Sequence, residues 1–141
     1  MQKFYFLLFL IFFHLCLASY DYYTYERIEN TLLEWQDTFG TEVHPSTLYS
    51  GFGIIYNLQT IGYSSQDSLP IYAVKLSDNV EKRESEPKVL ILGQCHAEEI
   101  YGVEIALDLV DWLLHPIEHS AYYLSIYEIM ENSEIWIVPT Y

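Results

Sequence analysis

The 141-residue sequence predicts an α/β fold, and three observations carry that expectation. A short apolar run, Val89-Leu90-Ile91-Leu92, ends at Gly93 and leads through His96-Ala97-Glu98-Glu99 into a segment with helical spacing. That order reads as a buried strand feeding a helix. Upstream, two β-prone segments, 54–61 and 71–76, flank a turn rich in Gly and Ser and predict a hairpin. Downstream, Glu134-Ile135-Trp136-Ile137-Val138-Pro139 is apolar and strongly β-prone. Ligands of open α/β sheets gather outside the carboxyl ends of strands, which places His96 and Glu99 where chemistry is expected.

Length fits one domain, and a hydrophobic content of 51% supports a packed core rather than a disordered chain. Part of that content is an N-terminal leader. Lys3 precedes an unbroken apolar run from Phe4 to Phe13, and the small Ala18 stands before polar sequence. Residues 1–19 therefore read as a signal peptide cleaved after Ala18 or Ser19. The run is short for a bilayer span, and Leu15 is too bulky for lipoprotein cleavage before Cys16. The expectation is an exported protein, extracellular or periplasmic in a bacterium, with no stable membrane anchor and a mature part over residues 20–141.

Losing Lys3 takes the formal charge from −14 to 5 − 20 = −15. An acidic surface repels phosphate backbones, so nucleic acid is not an expected partner. Cys95 is the one cysteine left after cleavage, which rules out an internal disulfide in the mature chain. Successive side chains leaving a strand point to opposite sides, and this predicts a packed Cys95 beside an outward His96.

Taken in order, the mature chain opens with a helix capped by Thr24. Ile28, Leu32, Trp35 and Phe39 form its apolar stripe, and Gly40 stands where helices stop. His44-Pro45 begins a loop in which His44 is expected to be solvated, and Ser50 to Gly53 is flexible punctuation before the hairpin. The charged stretch 77–87 reads as a surface loop with Lys82 and Arg83 at its tip. After the His96 corner, Val103, Ala106, Leu107, Val110, Leu113 and Leu114 make one apolar helix face, with Asp108 and Asp111 outside it. Pro116 ends that helix, and because it separates His115 from His119, those two read as surface histidines rather than a metal pair. A short helix over 122–130 then precedes the 134–139 strand. A sheet ending on that strand would expose an apolar edge, which invites aggregation.

The pair His96/Glu99 has a specific chemical use. Residues three apart on a turn into a helix lie on one side. Catalytic zinc takes three protein ligands, His and Glu among them, and keeps a fourth position for water. His96 and Glu99 supply two of the three. HxxE by itself fixes only two positions and has abundant chance matches, so taken without its surroundings it reads as two ordinary polar residues sooner than as a metal site.

Those surroundings are informative. Ile61-Gly62-Tyr63-Ser64, then Pro70-Ile71-Tyr72-Ala73-Val74-Lys75-Leu76-Ser77, then His96 and Glu99, then Ile135-Trp136-Ile137-Val138-Pro139 occur in one order. Together they resemble the N-terminal part of the zinc carboxypeptidase family, the carboxypeptidase A-like metallopeptidases, across about residues 20–141. The resemblance implies a mixed β-sheet flanked by helices, incomplete at its C-terminal side. It implies one zinc ion with His96 and Glu99 as first and second ligands. It also implies a peptide or protein substrate with a free C-terminus, hydrolysed in the complete protein by zinc-activated water. Glu98 departs from the pattern, since many members carry an arginine there, and substrate preference does not carry over. The family's third ligand, carboxylate-binding arginine, capping tyrosine and general-base glutamate have no counterpart in residues 1–141. They are expected outside this chain, which alone is expected to be inactive, and activation through a prosegment is not expected. The same residues leave two alternatives open. One is an amidohydrolase or deacylase with the same HxxE site; the other is a secreted, non-catalytic interaction module or degenerate product of the fold.

Overall fold

A computed structural model describes residues 22–118 and 120–141. The leader assigned to residues 1–19 and the histidine at 119 lie outside them. Helix α1 spans Tyr25–Phe39 and buries Ile28, Leu32 and Phe39 of the stripe that the sequence spacing marks, with its fourth member, Trp35, partly buried against the same core. The Thr24 side chain accepts the Arg27 amide at 3.3 Å, so the predicted cap is in place. Strands β1 (Tyr56–Tyr63) and β2 (Pro70–Leu76) form the antiparallel hairpin, with a register shift between Thr60 and Gly62. Strand β3 (Lys88–Gln94) leads to helix α2 (Ile100–Leu114), which buries the six apolar residues expected of it. Helix α3 (Tyr123–Asn132) and strand β4 (Glu134–Thr140) complete the chain.

The sheet is mixed, in the order β1-β2-β4-β3, with β2/β4 antiparallel and β3/β4 parallel. Val74, Leu76, Ile135 and Ile137 on one face share a single core with Ile28 and Leu32 of α1, Leu107 and Val110 of α2, and Ile126 and Met130 of α3. Among the described residues no helix is long and apolar enough to cross a membrane.

Two expectations are corrected here. The last strand in sequence is interior in the sheet. β4 is apolar on both faces, as a central strand must be, and it inserts between β2 and β3. The 88–94 segment, expected to be buried, is instead the edge strand, with Val89, Leu90 and Leu92 exposed. An apolar run reports hydrophobicity but not which neighbours it finds, and among the described residues only β4 pairs with it.

The start of β4 is fixed by charge. Glu134 is buried and receives Lys88 Nζ at 2.6 Å, Lys75 Nζ at 3.1 Å and Trp136 Nε1 at 2.8 Å. Lys75, itself buried, also donates to the Val80 carbonyl at 3.1 Å. Burial alone would raise the Glu134 carboxyl, but the bonds from Lys88, Trp136 and Lys75 outweigh it and hold the pKa at about 2. One carboxylate thus ties β2, β4 and β3 together at the end of the sheet remote from His96.

Candidate metal centre

β3 carries the chain to the corner, and close backbone contact fixes where the turn leads. A Cβ on Gly93 would overlap the Pro139 carbonyl of β4 and crowd the carbonyl oxygen of Gly102 in the first turn of α2. Gly102 in turn lies against the Gly93 backbone, so the two glycines let the helix start directly on the strand's end. The intervening turn closes on itself. The Glu99 amide donates to the His96 carbonyl at 2.9 Å, and the Gly102 amide to the Glu99 carbonyl at 2.9 Å. Gln94 holds it from beneath, its side-chain amide donating to the Ala97 carbonyl at 3.1 Å.

Within this turn His96 and Glu99 meet. His96 Nδ1 lies 3.1 Å from Glu99 Oε1. The other carboxylate oxygen, Oε2, accepts the amides of His96 at 3.1 Å and Cys95 at 3.3 Å. The side-chain bond to His96, followed by those backbone amides, holds the Glu99 carboxyl below its usual pKa and keeps it ionised. Both side chains are open to solvent, at 65% and 49% exposure.

The donor set fits a cation in part. Two ligands on a tetrahedral zinc with bonds of 2.0–2.1 Å stand about 3.3 Å apart. The 3.1 Å between Nδ1 and Oε1 is close to that spacing. Oε2 is already oriented by the chain's own amides, the outer support that metal ligands need. No third His, Cys, Asp or Glu joins this pair among the described residues. The one convergent trio there is Asp78, Glu84 and Glu86, an acidic cluster in the 77–87 loop before β3. A charged, apolar-poor loop reads as solvated surface from its sequence, and the spacing of Asp78, Glu84 and Glu86 carries no mark that the three converge.

Cys95 is exposed, against the expectation that it packs. It follows an edge strand rather than a buried one, which leaves it open to solvent. Its Sγ lies 4.0 Å from His96 Nε2, and it hydrogen-bonds the Tyr141 hydroxyl, an interaction that raises the tyrosine's pKa. Tyr141 also lines a cleft of about 470 Å³ with Tyr25, Tyr63, Leu69 and Ile71, beside the His96 corner. No local pattern marks this cleft, because the hairpin turn and the end of β4 meet only through sheet pairing. Glu98 is exposed, as is natural for a turn residue.

The other histidines lie elsewhere. His44 is not solvated: it is half-buried, stacked on Phe39, and bonded through Nε2 to the Leu114 carbonyl at 2.8 Å. The C-terminal end of α2 offers unsatisfied carbonyls, and a ring nitrogen from the loop satisfies one of them. His115 pairs with Asp111 at 2.9 Å and takes no part in a metal pair with His44, whose two nitrogens are both occupied by backbone.

The family model for zinc carboxypeptidases matches residues 47–141. A zinc carboxypeptidase of Saccharothrix mutabilis subsp. capreolus is 29% identical over 118 residues, 84% of this chain and 24% of that protein. Among solved structures, a putative carboxypeptidase A from Shewanella denitrificans OS-217 superposes with a TM-score of 0.61 at 19% identity, covering 84% of this chain and 25% of its own. Carboxypeptidase A from Helicoverpa armigera gives 0.62 at 15% identity, covering 85% and 24%. Thrombin activatable fibrinolysis inhibitor gives 0.63 at 16% identity, covering 87% and 26%. These likenesses establish a shared fold, and the chain spans about a quarter of the length of the relatives it matches.

Proposed function

The chain belongs to the zinc carboxypeptidase family, and on that premise we propose that His96 and Glu99 are two ligands of a zinc ion in an exported metallocarboxypeptidase. The observation that carries this reading is the meeting of His96 Nδ1 and Glu99 Oε1 at 3.1 Å, with Oε2 pinned by two backbone amides. Bound there, zinc supplies a polarised scissile carbonyl and a water of lowered pKa. The chain's own residues do the rest. The His96 and Cys95 amides aim the carboxylate, the Gly93/Gly102 contact holds the turn at the end of β3, and Nδ1 must be free of its proton to act as a ligand.

A catalytic zinc takes three protein ligands, so the pair accounts for two and the third comes from outside these 141 residues. The substrate is a peptide or protein with a free C-terminus, hydrolysed at its last peptide bond by the complete protein. Residues 1–19 direct export, and the product begins at Ser19 or Tyr20.

The test uses the protein encoded by the complete reading frame. Zinc content and chelator-sensitive release of C-terminal residues are measured for the parent, His96→Ala and Glu99→Ala. Each variant is expected to lose zinc and fall to background hydrolysis. Parent-like zinc content and turnover in both would refute the assignment. Residues 20–141 alone are expected to release nothing.

A further inference from the structure

Two side chains attach the loop between α1 and β1 to the far end of α2: the Tyr49 hydroxyl, which donates to the Leu113 carbonyl, and the His44 imidazole. His44 Nε2 lies 2.8 Å from the Leu114 carbonyl, and His44 Nδ1 lies 3.0 Å from the Ser46 amide. A backbone amide only donates and a carbonyl only accepts, so the pair of bonds assigns the tautomer. Nε2 carries the proton, and Nδ1 receives the Ser46 N–H. This arrangement exists only for the neutral ring, because a proton on Nδ1 would confront the Ser46 amide hydrogen.

The surroundings favour the neutral form as well. His44 stacks on Phe39 of α1 with ring centroids 5.1 Å apart and meets Tyr49 edge-on at 5.1 Å. Phe39 and Tyr49 are buried. The titratable groups facing the ring are Tyr49, whose hydroxyl donates to the Leu113 carbonyl at 2.6 Å, and His115, which is bridged to Asp111. Both ring nitrogens are bonded to backbone, and the carboxylate of Asp111 is engaged by His115 rather than by this ring.

We propose that His44 is an acid-sensitive latch: neutral, it ties residues 44–48 to the C-terminal end of α2, and protonation of Nδ1 releases that segment while Tyr49 stays bonded to the Leu113 carbonyl. Burial sets its pKa below the ordinary 6.5, against the pull of the Leu114 carbonyl and with a further push from His115. A depressed histidine favours the closed form fully above 6.5. Closure then weakens as pH falls from 6.5 toward the lower pKa of the closed state. Release would lift His44 off Phe39 and Tyr49 and unseat the Ser46 and Leu48 amides, the second of which is held by Ser46 Oγ at 3.2 Å.

The experiment is hydrogen–deuterium exchange of the full chain at micromolar concentration, read by mass spectrometry between pH 7.5 and 4.5 and corrected for intrinsic rates. Protection of the 46–48 amides is expected to fall by up to about tenfold per pH unit below 6.5. His44→Gln is expected to show no such step, while His115→Gln keeps it. Exchange at the imidazole C2 position of the parent gives each histidine's titration midpoint and does not depend on any variant folding. A His44 midpoint at or above 6.5, pH-independent protection in the parent, or an unchanged step in His44→Gln would each overturn the latch.

Discussion

Replacing Glu134 by Gln keeps the shape of the side chain and deletes its charge. The parent carboxyl is held at about 2 against an ordinary value of 4.5, with Lys88, Trp136 and Lys75 as its partners. Each pKa unit is worth about 1.4 kcal/mol, so the ionised form is favoured by about 3 kcal/mol in the folded state. The variant also leaves Lys75 buried without its charged partner, bonded to the Val80 carbonyl and to a neutral amide oxygen in place of a carboxylate. Breaking a buried pair from one side costs about 3–5 kcal/mol, in agreement with the linkage figure. Against a total stability on the order of 5–15 kcal/mol that loss is plain in a urea titration. The expected result at pH 7 is a midpoint shift at constant slope equivalent to about 3 kcal/mol. The pH dependence has a fixed sign: a depressed carboxyl contributes fully above 4.5 and loses its contribution as pH falls toward 2. The parent should therefore weaken across that window, and Glu134→Gln should lack that part of the slope. A double variant, Lys75→Met with Glu134→Leu, should recover much of the loss, since apolar replacement of a buried pair is often neutral. A Glu134→Gln penalty under about 1 kcal/mol, or an acid limb identical to the parent's, would refute the reasoning.

Three further outcomes follow from other parts of the chain. Gly93→Ala drives a Cβ into the Pro139 carbonyl, so it should destabilise by about 1–3 kcal/mol, read by urea unfolding; a neutral result would mean the strand–helix contact is looser than described. Leu90→Lys on the exposed edge should reduce self-association of the chain in sedimentation while changing stability by less than about 0.5 kcal/mol, and unchanged association would clear the edge of that role. Cys95 should react with a maleimide in the native chain at the rate of a free thiol, because it is exposed; labelling that needs denaturant would show it packed.

Much of the local structure was legible because it obeys short periods. Ile28, Leu32 and Phe39 repeat with the helical turn, and so do Val103, Ala106, Leu107 and Val110, so each buried face could be read before any partner was known. The Thr24 cap, the hairpin and the HxxE turn likewise depend on residues within a few positions of one another. The structure adds to the candidate site what spacing does not contain: Oε2 of Glu99 is oriented by two amides, and the Gly93/Gly102 contact sets the corner.

Helices, strands and the family of the ordered motifs are written in local pattern and residue identity. Which strand lies inside the sheet, the exposure of Cys95, the bond from His44 to the Leu114 carbonyl and the two lysines that Glu134 gathers from other strands emerge only in the folded chain. An apolar strand reads the same at the centre of a sheet as at its edge, and a polar side chain carries no mark of its distant partner. Both are settled by pairings between residues tens of positions apart, whose free energy appears only when the chain closes on itself.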